Sequence, residues 1–60
     1  MIEYYVIKDI GSGLYIDYTF KLDIFKNCRE FPSEAEAYNW MYSDLAPGHY
    51  TVIKCYRKLS

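Results

Sequence analysis

No apolar run in this chain approaches the ~18 residues that a membrane helix requires, so a membrane protein is not expected. Nor does a charged segment followed by an apolar stretch and a small-residue cleavage site open it, which leaves a cytoplasmic protein as the expectation. A formal charge of −1 removes the long-range attraction to phosphate that most nucleic-acid binders use. Cysteine is scarce: Cys28 and Cys55 lack CxxC spacing and are expected as free thiols acting as small core residues. His49 is the single histidine and has no second ligand at a metal spacing, so no metal is expected. Asp17, Asp23, Glu30 and Asp44 are scattered, and neither cysteine stands in a catalytic motif with His49. The chain reads as one domain over residues 1–60, not an enzyme, with no catalytic residue and no cofactor.

Aromatic residues are what it has in excess. Eight Tyr, three Phe and one Trp make 20% of the sixty residues, more than one small core encloses. Folding a chain of this length buries roughly 6,000 Å², about 60% of its unfolded surface. With somewhat over half of that apolar, burial at about 25 cal/mol per Å² contributes on the order of 90 kcal/mol, and ordering the chain costs about the same. The balance closes near zero. Without a disulfide framework or a metal, the remaining route to stability is a second copy, so a homodimer is expected, formed by joining open sheet faces or edge strands.

Along the chain, Glu3–Asp9 is aromatic and β-branched and predicts a strand, as does the alternating segment Leu14–Phe20. Gly11 and Gly13 between them supply hairpin-turn chemistry. A phosphate loop is excluded there because no Lys-Ser or Lys-Thr follows. Cys28–Phe31 predicts a short third strand ended by Pro32. Ser33 and Glu36 have capping-box spacing, and Glu34 and Glu36 suit the positive end of a helix dipole, so a helix is predicted from Ser33 or Glu34 to about Leu45, stopped by Pro47. His49–Lys58 predicts the last strand. The expected fold class is α+β, a three- or four-stranded antiparallel sheet with one helix packed on one face in the order ββ(β)αβ.

At 100° per residue Tyr38, Met41 and Leu45 share one side of the helix, with Ala37 and Tyr42 flanking it. Trp40 lies roughly 120° from the centre of that arc. It is either a contact residue or is covered by Lys21–Asn27. In the second strand Leu14, Ile16, Tyr18 and Phe20 form the expected helix-facing row. A two-residue Gly11-Ser12 turn sets Tyr5 and Ile7 on that side, opposite Tyr18 and Ile16; a three-residue turn would bring in Tyr4 and Val6 but turn Lys8 inward, and the first is preferred. Thr51, Ile53 and Cys55 are the expected core row of the last strand. Tyr5, Tyr18 and Tyr38 are then core tyrosines. Tyr4, Val6, Tyr15, Tyr50, Val52 and Tyr56 are left for the far face, fringed by Lys8, Asp17, Thr19 and Lys54. Tyrosines also suit the solvent face of a strand with no partner at all, but a cluster of this size exceeds the apolar patch usual on a monomer. The expected protein interface is therefore Tyr4, Tyr15, Trp40, Tyr50, Val52 and Tyr56.

Four pieces, Tyr5-Val6-Ile7-Lys8, Cys28-Arg29-Glu30-Phe31, Ser33-Glu34-Ala35-Glu36-Ala37 and Ile53-Lys54-Cys55-Tyr56, occur in an order that resembles a loose group of very small proteins encoded by bacteriophages and prophages. The resemblance implies an accessory factor that binds and inhibits a host protein, typically one of a defence system, without catalysis. It carries over no functional residue. The alternatives are a nucleic-acid or nucleotide-binding module, which would use aromatics on an open sheet to stack bases, and a small subunit of a larger assembly.

Overall fold

A computed structural model describes every residue except Pro47 and Ser60. The helix stop expected at Pro47 lies outside the described residues. In chain order the elements are β1 (Ile2–Asp9), β2 (Tyr15–Ile16), β3 (Leu22–Asp23), a 3-10 turn (Phe25–Asn27), α1 (Glu34–Asp44) and β4 (Tyr50–Arg57). The strands form one antiparallel sheet in the order β3-β2-β1-β4. One helix lies on one side of it, giving the expected α+β class. Tyr5, Ile7, Ile16, Phe31, Ala37 and Met41 form the core between them.

β1 and β4 carry the sheet because both are dense in β-branched and aromatic residues and pair along their full length, from Ile2 opposite Arg57 to Asp9 opposite Tyr50. The β1–β2 register is the preferred one, with Lys8 opposite Tyr15 and so Ile7 level with Ile16. The connection is longer than two residues, however. The Asp9 N–H donates to the Leu14 carbonyl at 2.8 Å, and Gly13, at φ +76°, closes the loop by donating to the Asp9 carbonyl. The Asp9 carboxylate accepts from both the Ser12 hydroxyl (2.6 Å) and the Ser12 N–H (3.0 Å), and these bonds hold its carboxyl below the usual range.

The segment expected as a strand from Leu14 to Phe20 stops at Ile16. Only Ile16 of its predicted core row is buried; Tyr18 and Phe20 are 63% and 59% exposed and Leu14 lies at the margin. The cause is Asp17. One of its carboxylate oxygens accepts from the Thr19 hydroxyl (2.7 Å), the Thr19 N–H (2.8 Å) and the Lys21 N–H (3.1 Å), turning the chain back into β3. Cys28–Phe31 does not form a strand of its own. It fills the space β2 leaves beside β1, through a two-way backbone bridge between Phe31 and Tyr5 (2.8 and 2.9 Å) and a bridge between Cys28 and Asp17.

Ser33 caps α1 as predicted, its hydroxyl accepting from the Glu36 N–H at 3.2 Å and donating to the Glu36 carboxylate at 3.0 Å. The buried face of the helix is turned from the predicted arc toward Trp40. Ala37 and Met41 are buried and Trp40 and Leu45 pack against the core, whereas Tyr38 and Tyr42 lie outside and stack on each other at 6.1 Å.

The phase of β4 is also opposite to the expected one. Antiparallel partners share a face. Val52 stands opposite Ile7 and Ile53 opposite Val6, so Tyr50 and Val52 join the helix-side core while Thr51, Ile53 and Cys55 lie on the far side. Lys54 shares the helix-side row opposite Tyr5, but its side chain stays half-exposed and reaches back to Glu3 at 3.6 Å.

Candidate protein-binding surface

The interface expected from sequence does not assemble as one patch. Tyr4 and Tyr15 lie on the far face and are half-buried. Tyr50 and Val52 are helix-side core neighbours, Tyr56 is an exposed residue on that same side, and Trp40 stands on the helix. Of the expected core tyrosines only Tyr5 is buried, and of the expected outward ones only Tyr56 is fully outside.

The far face is closed by its own side chains. Arg57 reaches from β4 across β1 to Glu30 in a two-pronged ion pair (2.6 and 3.1 Å), its guanidinium 4.6 Å from the Tyr4 ring. Tyr15 lies edge-on to Phe25 at 5.1 Å with the Lys8 ammonium 5.9 Å from its ring. Beneath this layer Val6 is 0% exposed and Cys28 is buried, although no helix lies there. Burial raises the Tyr4 hydroxyl above its ordinary value, with Arg57 opposing, and burial likewise raises the Cys28 and Cys55 thiols, which keeps both protonated and poorly nucleophilic.

The aromatic surface that is displayed gathers around Trp40. Phe20 stacks on the indole with ring centres 5.1 Å apart and planes at 20°, and Phe31 tilts against it at 5.7 Å. The Arg29 guanidinium lies 5.0 Å from the Phe31 ring, 5.2 Å from Trp40 and 5.7 Å from Tyr18. Among the described residues Arg29 makes no ion pair. An open cleft of about 330 Å³ runs beside this group, floored by Phe31 and Trp40 and rimmed by Arg29, Glu36, Asn39, Ser43 and Asp44. No protein-family model matches the chain, and no curated protein or solved structure matches it. The case for a site therefore rests on this geometry.

Lys21–Asn27 is the cover that the sequence offers Trp40. That segment carries Phe25 to the opposite face, and the covering ring is Phe20 from the preceding turn. Phe20 sits at φ +65°, the only described residue other than glycine with positive φ. For a side-chain-bearing residue that conformation costs ~1–2 kcal/mol. It is enforced by the Asp17 carboxylate, whose acceptance of the Thr19 and Lys21 bonds also draws its pKa down. Sequence reasoning placed Phe20 in a strand. The signal that finds it is Asp17 two residues before Thr19, the pattern of a side chain closing its own turn.

Phe20→Gly is expected to change unfolding free energy by less than ~1 kcal/mol in urea titration, because relief of the positive φ offsets loss of an exposed stacking contact worth ~0.5–1.5 kcal/mol. A loss well above that would mean that Phe20 is a structural residue.

No three His, Cys, Asp or Glu side chains come together to hold a metal among the described residues, and no described helix is long and apolar enough to cross a membrane.

Proposed function

We propose that this is a non-catalytic binding protein that engages another protein through the surface formed by Phe20, Trp40 and Arg29, with Tyr18 at its margin. The observation that carries the reading is Phe20. A phenylalanine held in an unfavourable backbone conformation, stacked on a tryptophan and still 59% exposed, is backbone strain retained at a displayed surface. Trp, Tyr and Arg are the residue types that dominate binding hot spots, and the polar groups rimming the cleft suit the edge of such a contact. In this reading the chain acts as the phage-type accessory proteins it resembles, covering a host protein and inhibiting it by occupancy. Glu36 and Asp44 beside Trp40 disfavour a phosphate backbone at the same place, which sets protein above nucleic acid as the partner.

The test is capture from bacterial host lysate by tagged protein, followed by titration of the purified partner. Phe20→Gly and Trp40→Ala are each expected to weaken binding by at least about tenfold, equivalent to about 1.4 kcal/mol, while Tyr42→Ala on the outer side of the helix leaves it unchanged. Equal binding by all three folded variants would remove the proposal, and a salt-dependent shift with single-stranded DNA or RNA would replace it with the nucleic-acid reading.

A further inference from the structure

We infer that β4 is the seat of self-association, pairing antiparallel with β4 of a second copy about a two-fold axis at Ile53. The backbone decides which groups are available. The Ile10 N–H donates to the His49 carbonyl at 2.9 Å, and the β1–β4 pairing continues in the same register. In an antiparallel ladder bonded and non-bonded pairs alternate. Thr51, Ile53, Cys55 and Arg57 therefore turn their N–H and C=O groups toward β1, and Tyr50, Val52, Lys54 and Tyr56 turn theirs out along a free edge. β1 confirms the phase from its other side, where Tyr5 exchanges both backbone bonds with Phe31.

This edge is long and open. β4 spans Tyr50–Arg57, whereas β3 at the opposite edge has only Leu22–Asp23. Natural edges are commonly blocked by an outward lysine, a proline or a bulge. Here Lys54 is drawn inward to Glu3 and Arg57 is engaged with Glu30, so neither charge guards the edge.

The occupant follows from the sequence of the strand. Tyr50-Thr51-Val52-Ile53-Lys54-Cys55-Tyr56 is nearly symmetric in chemistry about Ile53. Turned on itself, it sets Tyr50 beside Tyr56, Thr51 beside Cys55 and Ile53 beside Ile53, and it sets Lys54 beside Val52 instead of a second lysine. Every free N–H and C=O of Tyr50, Val52, Lys54 and Tyr56 then meets its counterpart. A slip that centres the axis on Lys54 places two ammonium groups directly opposite, which is unfavourable. The self-complementary surface is what a two-fold interface requires, and the added burial suits a chain whose own balance closes near zero. Trp40 leans toward Phe31 and Phe20, on the side of β1 away from β4, so the dimer would leave the surface around Trp40 free.

The test is site-directed cross-linking in a Cys28→Ala/Cys55→Ser background. Facing residues of a non-bonded antiparallel pair have Cα atoms about 4.5 Å apart, within disulfide reach. Ile53→Cys is expected to convert most of the protein to a species of doubled mass on mild oxidation, and Thr51→Cys, displaced from its own copy along the strand, to remain monomeric on a denaturing gel. By sedimentation at micromolar concentration the parent is expected as a dimer. Lys54→Pro removes an outward N–H without touching the β1 ladder and is expected as a monomer with an unchanged far-ultraviolet circular dichroism spectrum. A monomeric parent, or cross-linking at Thr51 in preference to Ile53, overturns the inference. So does a parent that is monomeric alone and gives up its β4 amide exchange only to a foreign peptide. Phe20→Gly leaves the cross-link unaffected, which separates failure here from failure of the binding surface.

Discussion

Phe31→Ala is expected to lose ~3–5 kcal/mol of stability, the usual cost of truncating a buried phenylalanine. A chain of this length has about 3–9 kcal/mol in total, so at fixed protein concentration the variant is expected to lose most or all of its cooperative urea transition. Phe31 is 4% exposed and belongs to the core with Tyr5, Ile7, Ile16, Ala37 and Met41. It also holds the bridge to Tyr5 and supports both Trp40 and Arg29. The fold and the proposed binding surface thus share the Phe31 ring, and binding should be lost with the fold. Phe31→Leu keeps most of the volume and is expected to cost no more than ~1.5 kcal/mol. An unfolding free energy for Phe31→Ala within ~1 kcal/mol of the parent would contradict the packing described.

Val6→Asp is the second large effect, and it tests the face without a helix. Were that side an open aromatic surface, as the sequence suggests, a carboxylate at Val6 would meet water and change little. In the structure Val6 is 0% exposed beneath Tyr4 and the ion pair between Arg57 and Glu30. A charge buried there without a partner of its own, Arg57 being already paired with Glu30, is expected to cost ~3–5 kcal/mol, enough to unfold most of the protein. Ile10→Asp, in the exposed hairpin turn, is expected to stay within ~0.5 kcal/mol of the parent. Circular dichroism with urea titration distinguishes the two. A folded Val6→Asp would show that the side chains of this face part readily and that its tyrosines are available for contact.

Both effects turn on a distinction that strand alternation leaves open. In β4 the rows Tyr50, Val52, Tyr56 and Thr51, Ile53, Cys55 are about equally apolar, so periodicity marks two faces without saying which is the core. Cross-strand register decides it, and register is a long-range property of β1 and β4. The same holds for the helix. Tyr38 and Trp40 are equivalent as apolar residues, but Phe20, Phe31 and Arg29 stand where they can pack on Trp40, whereas the Tyr38 ring stacks on Tyr42.

What the sequence determined by itself is the local chemistry. Ser33 and Glu36 start the helix, the glycine-containing loop after Asp9 turns the chain into the first hairpin, and the β-branched runs become the two long strands. These follow from propensity, capping and turn geometry, which act over a few residues. The tertiary structure alone decided where the aromatics point. Asp17 ends β2 early, Phe20 swings onto Trp40, and Arg57 reaches over Tyr4 to Glu30, separating the tyrosines into covered and displayed sets. An aromatic ring packs equally well on many apolar neighbours, so its position is set by which neighbours the completed fold brings within reach.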